Sequence, residues 1–344
     1  MSGNAVHRFA NTAILSVCAI DATQVVTSDE IDAALADTYG RVGLRPGMMQ
    51  RLAGIEARRW WSPGTTFADG AAMAGAKAIA EAGVDPSRIG LMVNTSVSRA
   101  HLEPSTAVSV HHALGLASSC QNFDVTNACL GFVNGMQLAA AMIESGQIEY
   151  ALVVNGEDAR GIQEATIDRL NSGDPAQVTA KHVFEQFASM TLGSGAAAMV
   201  LGRADEHPEG HRFLGGVTRA GTSHHELCVG DMDDMRTDSK GLMDAGLDLS
   251  AAMWAESAPE WGWDTGVARY IIHQVSVVHT RAICHTLGID SDLVPLTFPT
   301  RGNIGPASIP FTLAREVGSL SDGDRVLLMG IGSGLNASLV EIVW

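Results

Sequence analysis

Asp124-Val-Thr-Asn-Ala-Cys-Leu-Gly-Phe-Val-Asn-Gly135 reads as a strand end, a tight turn, and an apolar helix running through Met136, Leu138 and Met142 to Ile148. The turn leaves Cys129 at the helix mouth, facing unpaired backbone N–H groups and the positive end of the helix dipole. Both favour thiolate. A free thiol, with a pKa of roughly 8.5, is only a few per cent ionised near neutrality. The dipole supplies at most about 2 kcal/mol, so a partner group is expected elsewhere in the chain.

Two later segments offer partners. Tyr270-Ile-Ile-His-Gln274 is an apolar strand that delivers His273 at its end, and Thr300-Arg-Gly-Asn-Ile-Gly-Pro-Ala-Ser308 is a glycine-bearing turn that carries Asn303 into a helix. The two regions repeat one another. Ser105–His112, Ala113-Leu-Gly-Leu116, a strand near 122–125, the Cys129 turn and the strand Tyr150–Asn155 form one copy. Ser276–Ile283, Thr286-Leu-Gly-Ile289, an expected strand at Val294–Phe298, the Asn303 turn and the strand Arg325–Met329 form the other. Strands alternating with helices imply βαβ units, and packing two such halves together gathers Cys129, His273 and Asn303 at one centre. The expected organisation is an N-terminal half over 1–175 and a C-terminal half over 176–344, with an insertion or cap at about 221–259.

With 344 residues, 46% hydrophobic and 17% charged, the chain is globular and large enough for a sizeable core. A net charge of −16 argues against nucleic acid and anionic membrane surfaces. The apolar run Ala13–Ile20 is interrupted by Ser16 and closed by Asp21, too short for a secretory signal, and no run is long enough for a membrane span. Five cysteines without a CxxC pair fit reduced thiols in a cytoplasmic enzyme. The cluster His224-His225-Glu226 lacks metal-ligand spacing, so no metal site is expected.

Cys, then His, then Asn, each at a strand or helix terminus, resembles the thiolase superfamily of condensing enzymes, and within it the ketoacyl-ACP synthase III group. The resemblance runs from Leu52-Ala-Gly-Ile-Glu-Ala-Arg-Arg59 to Gly330-Ile-Gly-Ser-Gly334. It implies a five-layered αβαβα thiolase fold, duplicated βαβ halves, a homodimer, and coenzyme A thioesters as substrates with no permanently bound cofactor. It also implies that Cys129 takes an acyl group, while His273 and Asn303 donate hydrogen bonds to the second thioester as it becomes enolate-like. The backbone amides of Cys129 and Ser333 are the expected oxyanion hole, and Arg58, Arg59 and Trp60 the expected coenzyme A contacts, with Trp61 beside them.

Departures from the synthase III pattern narrow the reading. The histidine is followed by Gln274-Val-Ser276 in place of Gln-Ala-Asn, and Asn303 by Ile-Gly-Pro306 in place of Thr-Ser. A carboxylate, Glu103, stands in Ala100-His-Leu-Glu-Pro-Ser105, which resembles the OleA branch of head-to-head condensing enzymes in olefin biosynthesis. In that branch a glutamate on this loop reaches the partner subunit's site as general base. A chemical argument points the same way: a malonyl donor makes its carbanion by losing CO2, whereas a plain acyl thioester must give up an α-proton to some base. The expected activity is non-decarboxylative Claisen condensation of two fatty acyl-CoAs to a 2-alkyl-3-oxo acid, with olefin-pathway enzymes as possible downstream partners. A malonyl-using 3-oxoacyl-ACP synthase III is the alternative. HMG-CoA synthase and a catalytically silent subunit are the more distant ones.

Overall fold

Apolar strands and amphipathic helices alternate along the chain and assemble into two sheets of the same plan. The computed structural model describes residues 3–173, 178–231 and 233–344. The first sheet sets Gln121–Asp124, Ile89–Asn94, Tyr150–Glu157, Gly195–Arg203 and Thr12–Asp21 side by side. Its first three strands are parallel and the last two pair antiparallel. The second sheet runs Arg269–Ile272, Arg325–Gly332, Asn336–Val343, His211–Ala220, beginning with a parallel pair and continuing antiparallel. The sheets meet where Ala13 and Ile14 pair with Arg212 and His211.

Parallel strands need cover on both faces, and Tyr150–Glu157 is buried along its whole length. Helices Gly131–Glu144 and Ser308–Glu316 lie between the sheets. Phe132, Val133, Met136 and Ile143 from the first share one core with Ile309 and Leu313 from the second, and with Leu91, Val153, Val326 and Leu328 of the strands. Helices Phe67–Ala82 and Thr106–Leu114 cover the outer face of the first sheet through Ala71, Ala74 and Val110. Helices Ser239–Trp261 and Val277–Leu287 cover the second through Met253, Ala258 and Ile283. The layers are therefore αβαβα, as expected.

Local signals set the helix ends. Thr66 and Asp69 form a reciprocal cap at the start of Phe67–Ala82, and the Ser276 side chain accepts from the His279 amide, each worth about 1 kcal/mol. Gly115 and Gly288, at φ 61° and 68°, close the equivalent helices of the two halves with the left-handed residue that a C-terminus of this kind requires.

The structure departs from expectation in two places. Val294–Phe298 is not a strand: Pro295 has no amide to give a ladder, and the Gln274 side chain takes the Thr297 and Phe298 amides instead, at 2.8 and 3.4 Å. The supposed insertion at 221–259 is mostly the outer helix Ser239–Trp261; what exceeds the repeat is a turn at Thr222–His224 and a hairpin of Cys228–Gly230 with Met235–Thr237. Met232, and the expected boundary between Pro175 and Ala176, lie outside the described residues. Among the described residues no helix is long and apolar enough to cross a membrane.

Candidate active site

Cys129 sits in a sharp elbow between Gln121–Asp124 and the central helix, two residues ahead of the first helical residue, Gly131. Ala128 before it has φ 45°, and among the described residues it is the one non-glycine with positive φ, a conformation costing about 1–2 kcal/mol for an L-residue. Close packing holds the elbow. A Cβ on Gly131 would stand 3.0 Å from the Thr95 carbonyl oxygen, and one on Gly332 would stand 2.8 Å from that of Asn127. The second contact sets the elbow against the end of strand Arg325–Gly332, next to Ser333.

His273 follows directly on strand Arg269–Ile272, its amide donating to the Met329 carbonyl at 2.9 Å. The ring is buried and its Nδ1 has no partner among the described residues. The neighbouring Gln274 was not singled out from sequence, yet it ties this strand end to the Asn303 segment. Its amide nitrogen donates to the Ile272 and Pro295 carbonyls while its oxygen accepts from Thr297 and Phe298. Asn303 is held between the Thr191 carbonyl and the Gly193 amide, both at 2.9 Å. Its side-chain oxygen accepts from Gly305 N at 2.9 Å, which leaves the amide NH2 as the group free to donate.

Electrostatics correct the expectation for Cys129. Its thiol is pushed up to about 12, chiefly by burial, then by the charge of Glu157 and by the Cys228 thiol, with only its own backbone amide pulling the other way. Burial therefore opposes the pull of the helix start and favours the thiol form. Burial and the nearby His279 push His273 down to about 3, so its imidazole is neutral.

The remaining expected residues fall elsewhere. Arg58 is fully buried, donating to the Ser28 hydroxyl at 3.2 Å and the Met190 carbonyl at 3.1 Å, so it braces the core and has no face for coenzyme A. Trp61 is buried too, its indole N–H on the Glu157 carbonyl at 2.9 Å. Arg59 and Trp60 are half-buried, and Arg160 lies over the Trp60 ring at 5.1 Å. Glu103 stands on a wholly exposed stretch, 101–104. Its neighbour Leu102 is 92% exposed. Among the described residues no three His, Cys, Asp or Glu side chains gather as metal ligands would.

Family models for 3-oxoacyl-ACP synthase III match residues 123–174, and for its C-terminal part residues 264–344. The acyl-CoA:acyl-CoA alkyltransferase of Xanthomonas campestris is 44% identical over 98% of this chain and 99% of its own length. The enzyme of that name from Shewanella oneidensis is 35% identical over 93% of this chain and 95% of its own. The crystal structure of a cysteine-to-serine variant of Xanthomonas campestris OleA, with bound lauric acid and lauroyl-CoA, matches at a TM-score of 0.94 over 98% of this chain and all of that one. The chain belongs to the OleA family of acyl-CoA:acyl-CoA alkyltransferases, condensing enzymes of the synthase III type.

Proposed function

We propose that this enzyme joins two fatty acyl-CoAs head to head without decarboxylation, and that Cys129, His273, Asn303 and Glu103 carry the reaction. The observation behind this reading is the elbow cysteine, neutral histidine and free asparagine NH2 in a chain that also bears a loop glutamate and is 44% identical to an acyl-CoA:acyl-CoA alkyltransferase.

In the first half-reaction the Cys129 sulfur attacks the thioester carbonyl, with the amides of Cys129 and Ser333 holding the oxyanion, and coenzyme A leaves with the thiol proton. In the second, Glu103 takes the α-proton of another acyl-CoA. The His273 and Asn303 donors hold the enolate oxygen, neutral groups aimed at developing charge. The carbanion attacks the acyl-Cys129 carbonyl, the cysteine departs, and hydrolysis of the remaining thioester gives a 2-alkyl-3-oxo acid suited to downstream olefin-forming enzymes. Arg59 and Trp60 are the remaining coenzyme A contacts of the expected set.

Glu103 cannot serve from a solvent-exposed loop alone, so the active form is a homodimer in which a second copy receives it. Two features of the single chain support that. Val97, Leu102 and Val108, around the loop, are exposed at 48%, 92% and 45%, and strand Gln121–Asp124 is a free sheet edge. The free cysteines fit a reducing, cytoplasmic setting.

The test is Glu103→Gln. The variant should still acylate Cys129 but stop joining two acyl-CoAs, and mixing it with Cys129→Ala subunits should restore some activity. Full condensation by the variant, or a wild-type requirement for malonyl-CoA, would favour the decarboxylating alternative.

A further inference from the structure

Strand Tyr150–Glu157 ends in a carboxylate that no motif picks out. Glu157 is only 7% exposed, and its oxygens are held by neutral donors. One accepts from the Val97 amide at 2.8 Å and from Asn155 Nδ2 at 3.3 Å; the other accepts from the Ser98 amide at 3.0 Å and the Ser98 hydroxyl at 2.6 Å. A Cβ on Gly305 would lie 3.5 Å from Glu157 Cγ and 3.8 Å from its Oε1, so the side chain packs directly against the Asn303 turn. It is also the charge felt most by the Cys129 thiol.

Val97 and Ser98 are the root of the loop that carries Glu103. The loop's other end is gripped by a second carboxylate: Asp124, at the start of the elbow, accepts from the Thr106 and Ala107 amides at 3.1 and 2.9 Å and lies 3.5 Å from Arg99. Between the two anchors, residues 100–104 are exposed. Both clamps therefore belong to the floor of the loop's own active site, while Glu103 itself stays exposed to solvent.

We propose that Glu157 is a positioning residue for condensation: it fixes the root of the Glu103 loop to one active site so that Glu103 is presented correctly to the other. This rests on the reading of Glu103 as a base for the second copy. A carboxylate accepts at all four positions, whereas an amide in its place would turn an N–H toward the Ser98 or Val97 donors and release the root. A base displaced by about 1 Å commonly loses on the order of 10²-fold in rate.

The experiment uses mixed dimers whose single complete site pairs Cys129 of a Glu103→Gln chain with Glu103 of a Cys129→Ala chain. Glu157→Gln is added to one chain or the other. On the chain that donates Glu103 it should lower condensation by about 10²-fold while acylation of Cys129 is unchanged. On the chain that bears Cys129, where Glu157 touches the Asn303 turn but presents no base, the loss of condensation should be about 10-fold smaller. Equal losses in both arrangements, loss only on the Cys129 side, or no loss in either would overturn the proposal. If Glu157→Gln does not fold, Ser98→Ala removes the 2.6 Å donor and should show the same asymmetry at about 10-fold; symmetry there would be equally fatal. Failure of the Glu103 reading is recognised separately, since a Glu103→Gln homodimer would then condense normally.

Discussion

Cys129 follows Ala128 at φ 45°, and Asn303 follows Gly302 at φ 69°, so each half of the molecule sets a candidate functional side chain directly after a positive-φ residue at the crossover into its central helix. The halves reach that geometry differently. At 302 the backbone has ψ −171°, a region open essentially to glycine, and a Cβ would lie 2.8 and 2.9 Å from the Thr191 and Leu192 carbonyl oxygens. At 128 an alanine is held in the strained conformation by its surroundings. The strand before each turn differs as well: Gln121–Asp124 pairs in the sheet, whereas 294–297 is held by the Gln274 side chain. Duplicated topology thus preserves where a side chain is delivered, while the means of holding it there is free to diverge.

Four experiments probe that contrast, beginning with chemistry that only one half performs. Replacing Cys129 with Ser should cut acylation by about 10⁴-fold or more, read as coenzyme A release, since an unactivated hydroxyl is a far weaker nucleophile than a thiol. Mass spectrometry of the wild-type enzyme after rapid quench should find the label on Cys129, not on Cys120 or Cys284. His273→Ala and Asn303→Ala, in the other half, should each lower condensation by about 10²–10³-fold with acylation much less affected. Equal loss of both half-reactions would mean that the second half activates the nucleophile instead.

The third experiment compares backbones. Gly302→Ala should destabilise the fold by about 2–4 kcal/mol, combining a forbidden conformation with backbone overlap. Ala128→Gly should change stability by less than about 1 kcal/mol, because relief of strain offsets the added freedom of the unfolded chain. Chemical denaturation of both variants gives the answer, and similar costs would erase the distinction between the halves.

The last contrast is a pH slope confined to the second half. Burial pushes His273 down to about 3 and His279 down to about 4, while the unfolded chain protonates near 6.5. A depressed histidine favours the fold above the unfolded value and loses that advantage as pH falls below it, because the unfolded state binds the proton first. Stability should therefore drop by up to about 1.4 kcal/mol per pH unit per histidine between roughly pH 6.5 and 4. His279→Gln should halve the contribution of this pair. An unchanged slope in that variant would show that His279 is protonated in the native state.

Much of this was legible in the chain. The Leu-Gly helix ends at 114–115 and 287–288 marked the two copies, and the strand-end positions of Cys129 and His273 follow from apolar runs that stop where they do. Glu157 was not legible, because in sequence it is one acidic residue after an apolar strand; only the return of Val97 and Ser98 onto it gives it work. Arg58 misled for the same reason, since a basic pair beside a tryptophan reads as surface until Met190 and Ser28 close over it.

Sequence alone determined the alternation of strands and helices, the duplication, and the identity and order of cysteine, histidine and asparagine, because periodicity and turn chemistry are local properties. Tertiary structure alone decided how deeply those residues are buried and which carboxylates face them. Segments distant in sequence close over His273 and partly over Cys129, and that desolvation pushes the imidazole down and the thiol up, against what the helix start alone foretold.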